Sequence, residues 1–141
     1  MNKEREDTWH FLYKEWSKLH DLLYAYDKIY RNIEIKENRY NGGFQLLLDS
    51  LTRSIALNVD IFFQKRKDCW SLYTLDENNQ QKEKINKIRK EAEFCIILRN
   101  EHIGHLPKNI VQAGPLRFFN QAAIEKIKEI HETINDVLLE L

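Results

Sequence analysis

Arg99, Asn100, His102 and His105 fall within the short stretch Ile97-Leu98-Arg99-Asn100-Glu101-His102-Ile103-Gly104-His105-Leu106-Pro107. Their side chains suit chemistry on a phosphodiester. A guanidinium holds a phosphate through two parallel hydrogen bonds. An imidazole moves a proton near neutral pH. Together they fit attack on a phosphodiester by its own 2′-hydroxyl. One histidine takes or gives the proton, and Arg99 stabilises the charge growing on the phosphate. That chemistry needs no metal.

The same residues have an architectural reading. Arg99 follows Ala92 and Cys95 at helical spacing. An arginine on an apolar stripe needs a partner, and a carboxylate on a neighbouring helix would supply one. His102 and His105 would then be helix-end histidines favoured by the dipole. Spacing does not decide between the two. Among 8 arginines and 5 histidines, an arginine followed by a histidine four to six positions later is expected about once by chance. It occurs twice, because Arg5 and His10 also match. That pair lies at a terminus expected to fray, with an acid directly after the arginine, whereas a catalytic pair needs rigid placement.

Weaker constellations accompany it. His102 and His105 could offer two metal ligands from one helical turn, with Cys95 or Glu101 as a third. No CxxC or HExxH frames them, so no metal and no cofactor is expected. The four glycines, Gly42, Gly43, Gly104 and Gly114, form no phosphate loop, and there is no Gly-x-Ser-x-Gly elbow. Trp9, Tyr13, Trp16, Tyr26 and Tyr30 could stack bases, but their helical spacing points first to a core or a dimer interface.

Four helical segments must position these residues. Asp7 or Thr8 is a candidate N-cap for a first helix with Trp9, Leu12, Trp16, Leu19, Leu23, Tyr26, Tyr30 and Ile33 on one stripe, ended by Asn41-Gly42-Gly43. A second helix is predicted from about Phe44 to Lys65. It is apolar nearly all round and therefore central, with Lys65-Arg66-Lys67 at its C-terminal end. A short helical turn or packed loop occupies 68–79. A third helix is predicted from about Gln80 to Ile103, with Ile85, Ile88, Ala92, Cys95, Arg99, His102 and Leu106 on its stripe and Gly104 and Pro107 ending it. After a loop over Pro107–Phe119, a last helix runs from about Asn120 to Leu141. The economical architecture is all-α: a single-domain antiparallel four-helix bundle over 1–141, with the short extra turn before the third long helix.

Composition agrees. With 141 residues the chain is long enough for one core. Lys plus Arg and Asp plus Glu both number 22, so the formal net charge is +0 and bulk charge cannot drive nucleic-acid binding. With 4 Gly and 2 Pro, the turns of a β-sandwich are excluded. Charge is unevenly spread. Lys82, Lys84, Lys87, Arg89, Lys90 and Arg99 outnumber Glu83, Glu91 and Glu93 around the motif, and the last helix is acidic. This positive strip is either a solvated helix face or a guide for RNA. The charged start lacks a secretory signal and no apolar run could span a membrane, so a reducing cytoplasm and two buried free thiols, Cys69 and Cys95, are expected.

Arg99-Asn100-x4-His105 on the third helix of a small bundle resembles the signature of HEPN domains: an arginine, a polar residue, and a histidine four to six positions after the arginine. Ile61-Phe62-Phe63 leading into Cys69-Trp70-Ser71-Leu72-Tyr73 resembles the region upstream of the motif in HEPN proteins of the abortive-infection type, and Ile103-Gly104-His105-Leu106 resembles their small-residue-then-histidine ending. The likeness covers roughly 44–110. It implies a HEPN-like bundle acting as a metal-independent endoribonuclease, a toxin or phage-defence effector. It also implies a homodimer whose two motifs share a cleft, with RNA as substrate and a cognate antitoxin protein as partner. Arg99 and His105 would be the catalytic pair, supported by Asn100, with His102 as an auxiliary phosphate contact. The alternative is a non-catalytic RNA- or protein-binding module of the same fold. On an unbroken helix positions 99 and 105 lie about 120° apart, and 99 and 102 about 60° apart. A distortion near Gly104, or the partner's copy of the motif, would have to bring His105 round.

Overall fold

The computed structural model describes residues 2–35, 41–100 and 119–141, with the side chains of 32–35, 41, 42, 44, 45 and 100 left aside. The described residues form six helices and no strand: α1 (Lys3–Ile35), α2 (Asn41–Phe62), α3 (Leu72–Leu75), α4 (Lys82–Glu91), α5 (Glu93–Asn100) and α6 (Gln121–Glu140). None is long and apolar enough to cross a membrane. The apolar stripes meet in one core, in which Leu12, Leu19 and Tyr26 of α1 pack with Leu48, Ile55 and Val59 of α2, Ile85 of α4, Cys95 of α5, and Ile127, Ile130 and Ile134 of α6.

Helix α1 packs along both α2 and α6. Two indoles fasten it to α6. Trp9 Nε1 donates to the Leu138 carbonyl at 2.9 Å, and Trp16 Nε1 donates to the His131 carbonyl at 2.8 Å. The Trp16 and His131 rings stack at 4.3 Å, and His131 Nε2 lies 3.0 Å from the Trp16 carbonyl. The aromatic stripe therefore ties helices together, as its spacing suggests. Toward α2, the Asn58 amide donates to the Glu15 carboxylate at 2.7 Å. Tyr26 donates from its buried hydroxyl to the Phe119 carbonyl, and the Phe119 N–H donates to Thr52 Oγ1 at 3.2 Å, so α1, α2 and the entry to α6 close on one another.

Several boundaries differ from the sequence expectations. Helix α1 begins at Lys3, before Asp7 and Thr8, because Asn2 accepts from the Arg5 N–H at 2.8 Å and serves as the cap. Thr8 is buried, and its hydroxyl donates back to the Glu4 carbonyl at 2.8 Å. The terminus is not loose either, since Arg5 Nη2 donates to the Leu141 carbonyl at 2.9 Å. Asn41, Gly42 and Gly43 do not end the first helix but open α2. That helix stops at Phe62, so Lys65-Arg66-Lys67 lie beyond it. It is not enclosed on all sides: Leu46, Leu47 and Leu57 are exposed.

The third predicted helix is two helices. Ala92, at φ −90° and ψ 4°, leaves helical geometry between α4 and α5. The last helix matches expectation, with Asn120 capping it through the Ala123 N–H at 2.8 Å. The short turn before α4 is α3, capped by a reciprocal Ser71–Thr74 box. The buried Asp76 carboxylate accepts from the Gln80 and Gln81 N–H groups at 3.0 and 2.9 Å and fixes the approach to α4.

Candidate functional site

Arg99 stands in the last turn of α5. Burial of Ile85, Ile88, Ala92 and Cys95 follows the expected stripe, and Arg99 leaves it: its side chain is 45% exposed. The break at Ala92 separates α4, with Ile85 and Ile88 buried, from α5, which carries Arg99 in its last turn. The partner that an arginine at this place requires is Asp60, near the C-terminal end of α2, with Nε 3.2 Å from Oδ2. Asp60 is itself buried, and the same Oδ2 accepts from the Gln64 amide. A carboxylate out of water holds its proton more tightly. Burial accordingly pushes the Asp60 pKa up, and the charge of Arg99, the Gln64 hydrogen bond and the charge of Arg89 oppose that rise.

Asp60 thus gathers two arginines. Arg99 contacts it directly, and Arg89 on α4 acts on it through charge. The Nε of Arg89 is buried and has no hydrogen-bond partner among the described residues. The same guanidinium acts on Tyr73 of α3, opposing a burial that raises the Tyr73 pKa. Tyr73 in turn donates to Asn86 Oδ1 at 2.7 Å. Cys95 is buried, with its pKa raised by burial first and by the Asp60 charge second, so it stays a thiol. Cys69 is only half-buried, which corrects the expectation of two buried thiols; both are free.

Of the residues expected at the site, Arg99 is placed and oriented. Asn100 ends α5, and its side chain, with all of His102 and His105, lies outside the described residues, as do Gly104 and Pro107. The rival pair diverges. Arg5 reaches Leu141, while the exposed His10 lies 3.8 Å from Glu6. Among the described residues no three His, Cys, Asp or Glu side chains are grouped to hold a metal ion. The basic strip is partly neutralised, since Lys84 pairs with Glu140 of α6 at 3.3 Å.

Asp60 and Gln64 are the residues that motif reasoning missed, and Arg89 entered it only as one charge of the basic strip. The signal was present for Asp60, a single charge inside the apolar run Ile55–Phe63, and the rule that an apolar-stripe charge needs a partner applies to it as it does to Arg99. Chemically, a buried carboxylate that holds the Nε of a half-exposed guanidinium fixes the orientation of that cation. Comparison of the chain with protein-family models, curated proteins and solved structures finds no match.

Proposed function

We propose that the protein is a metal-independent endoribonuclease of HEPN type, a four-helix bundle in which α4 and α5 together form the third helix, acting as a cytoplasmic toxin or phage-defence effector. Two chains pair so that their motifs share a cleft, and an antitoxin protein restrains them. Arg99 binds and neutralises the scissile phosphate. His105 transfers the proton between the 2′-hydroxyl and the leaving 5′-oxygen, Asn100 supports the pair, and His102 contacts a neighbouring phosphate. The bond from O2′ to phosphorus forms as the bond to O5′ breaks, leaving a 2′,3′-cyclic phosphate and a 5′-hydroxyl.

The observation that carries this reading is the Asp60–Arg99 pair. A half-exposed arginine at a helix end, with its Nε held by a buried carboxylate, is oriented without being enclosed. The test is RNA cleavage in EDTA. Wild type should cleave, and Arg99→Ala and His105→Ala should each lose at least about 100-fold in rate while keeping helical circular dichroism. Cleavage that appears only with added metal, or variants as fast as wild type, would overturn the reading.

The same ion pair also supports the second reading, a non-catalytic RNA- or protein-binding module, in which Asp60 and Arg99 merely tie α2 to α5. Arg99→Ala lowers stability in either reading, so cleavage decides between them: in the second, the wild type would cleave nothing.

A further inference from the structure

A cleft of about 590 Å³ opens where the segment after α2 passes α3 and α4. Lys65, Lys67 and Lys82 line it, together with Tyr73 and Asn86. All three lysines are exposed, and among the described residues none forms an ion pair, although the carboxylates of Glu4 and Glu77 line the same cleft. Three exposed ammonium groups over a concave wall are suited to a ligand with spaced negative charges. The hydrogen bond from the Tyr73 hydroxyl to Asn86 holds the aromatic ring in place at that wall.

From the cleft, one face of α4 leads on to Arg89. Lys82, Asn86 and Arg89 stand at i, i+4 and i+7 on α4 and therefore share one face, while Ile85 and Ile88 face the core. From Lys82 to Arg89 that row rises about 10 Å. Its far end is the Arg89 guanidinium, whose buried Nε has no partner among the described residues and whose charge acts on Tyr73 in the cleft and on Asp60 beside Arg99. A buried donor without a partner calls for an occupant that supplies an acceptor.

We propose that this cleft binds the phosphate backbone of single-stranded RNA, with Lys65, Lys67 and Lys82 contacting successive phosphates and Arg89 passing the strand to Arg99. The choice of RNA rests on the proposed endoribonuclease reading. The cleft itself is a separate claim, with a separate test.

That test is fluorescence anisotropy of the full chain with a labelled, 2′-O-methylated eight-nucleotide strand, which cannot be cleaved, in EDTA over a salt series. Lys65→Gln, Lys67→Gln and Lys82→Gln should each weaken binding several-fold and reduce the salt slope by about 0.7. The triple variant should lose at least about 20-fold. Lys14→Gln, on exposed α1 surface away from the cleft, should bind as wild type does. Wild-type protein that does not bind the strand, or a triple variant with unchanged affinity and slope, overturns the proposal. The two readings fail separately. If wild type cleaves RNA and the triple variant cleaves it with unchanged KM, the cleft is wrong and the nuclease stands. If the triple variant loses binding while wild type cleaves nothing, the cleft stands and the nuclease is wrong.

Discussion

Asp60 and Arg99 meet at 3.2 Å across the solvent boundary: the carboxylate side chain is 7% exposed and the guanidinium side chain 45%. The buried partner carries the desolvation cost, and the other partner stays half in contact with solvent. Breaking such a pair from the two sides should have opposite effects on stability, and this asymmetry gives the first prediction.

Burial raises the Asp60 pKa despite Arg99. A carboxyl whose native pKa lies above its unfolded value favours the fold when protonated, and that contribution is lost as pH rises through the native value. Asp60→Asn keeps an acceptor and cannot ionise. It should therefore be no less stable than wild type at pH 7 in urea unfolding, with any advantage vanishing near pH 3. RNA cleavage should nevertheless fall by about tenfold or more, because Arg99 loses its charged anchor. Arg99→Ala should lower stability at pH 7 by leaving Asp60 uncompensated. A variant Asp60→Asn that keeps full activity would sever the pair from function.

His131 is buried against Trp16, and burial lowers its pKa. The sign is the reverse of that for Asp60. A histidine with a depressed native pKa stabilises the fold above its unfolded value near 6.5, and the contribution is lost as pH falls through the native value. The urea midpoint should drop between pH 7.5 and pH 5, and His131→Gln should flatten that drop. A variant with the wild-type pH profile would show that other groups control it.

Tyr26 buries its hydroxyl against the Phe119 carbonyl, and burial pushes its ionisation well up. Tyr26→Phe leaves that carbonyl without this donor in the core. Leaving such a group unsatisfied costs about 1–3 kcal/mol, measurable in urea unfolding. An unchanged midpoint would mean that water reaches the carbonyl.

The two thiols should differ sharply in reactivity. Cys95 is fully buried, with its pKa raised, while Cys69 is half-buried beside Asp68. Only the thiolate attacks a disulfide reagent. Titration with such a reagent should release one equivalent quickly from the native chain and the second only after denaturation. Two fast equivalents would contradict the packing around α5.

The helical class was legible because its signal is local. The stripes of α1 and α6 repeat every three or four residues, and Asn120 caps α6 where the pattern begins. Boundaries set by competing local bonds were not legible. Thr8 has the chemistry of an N-cap, but Asn2 provides the cap, and the hydroxyl of Thr8 turns back to Glu4. The glycines at 42 and 43 suggest a turn by conformational freedom, yet they sit in the first turn of α2, where the helix had only to begin. The break at Ala92 has no glycine or proline to announce it.

The candidate site divides in the same way. By itself the sequence determined that an arginine follows Ala92 and Cys95 at stripe spacing, with two histidines close behind, because residue type and helical spacing are local properties. Only the tertiary structure decided that Asp60 pairs with Arg99 and that the charge of Arg89 acts on the same carboxylate. It also decided that the guanidinium reaches solvent instead of the core. Those relations depend on how α2 packs against α5 and on the break at Ala92, which follow from packing among helices distant in the chain.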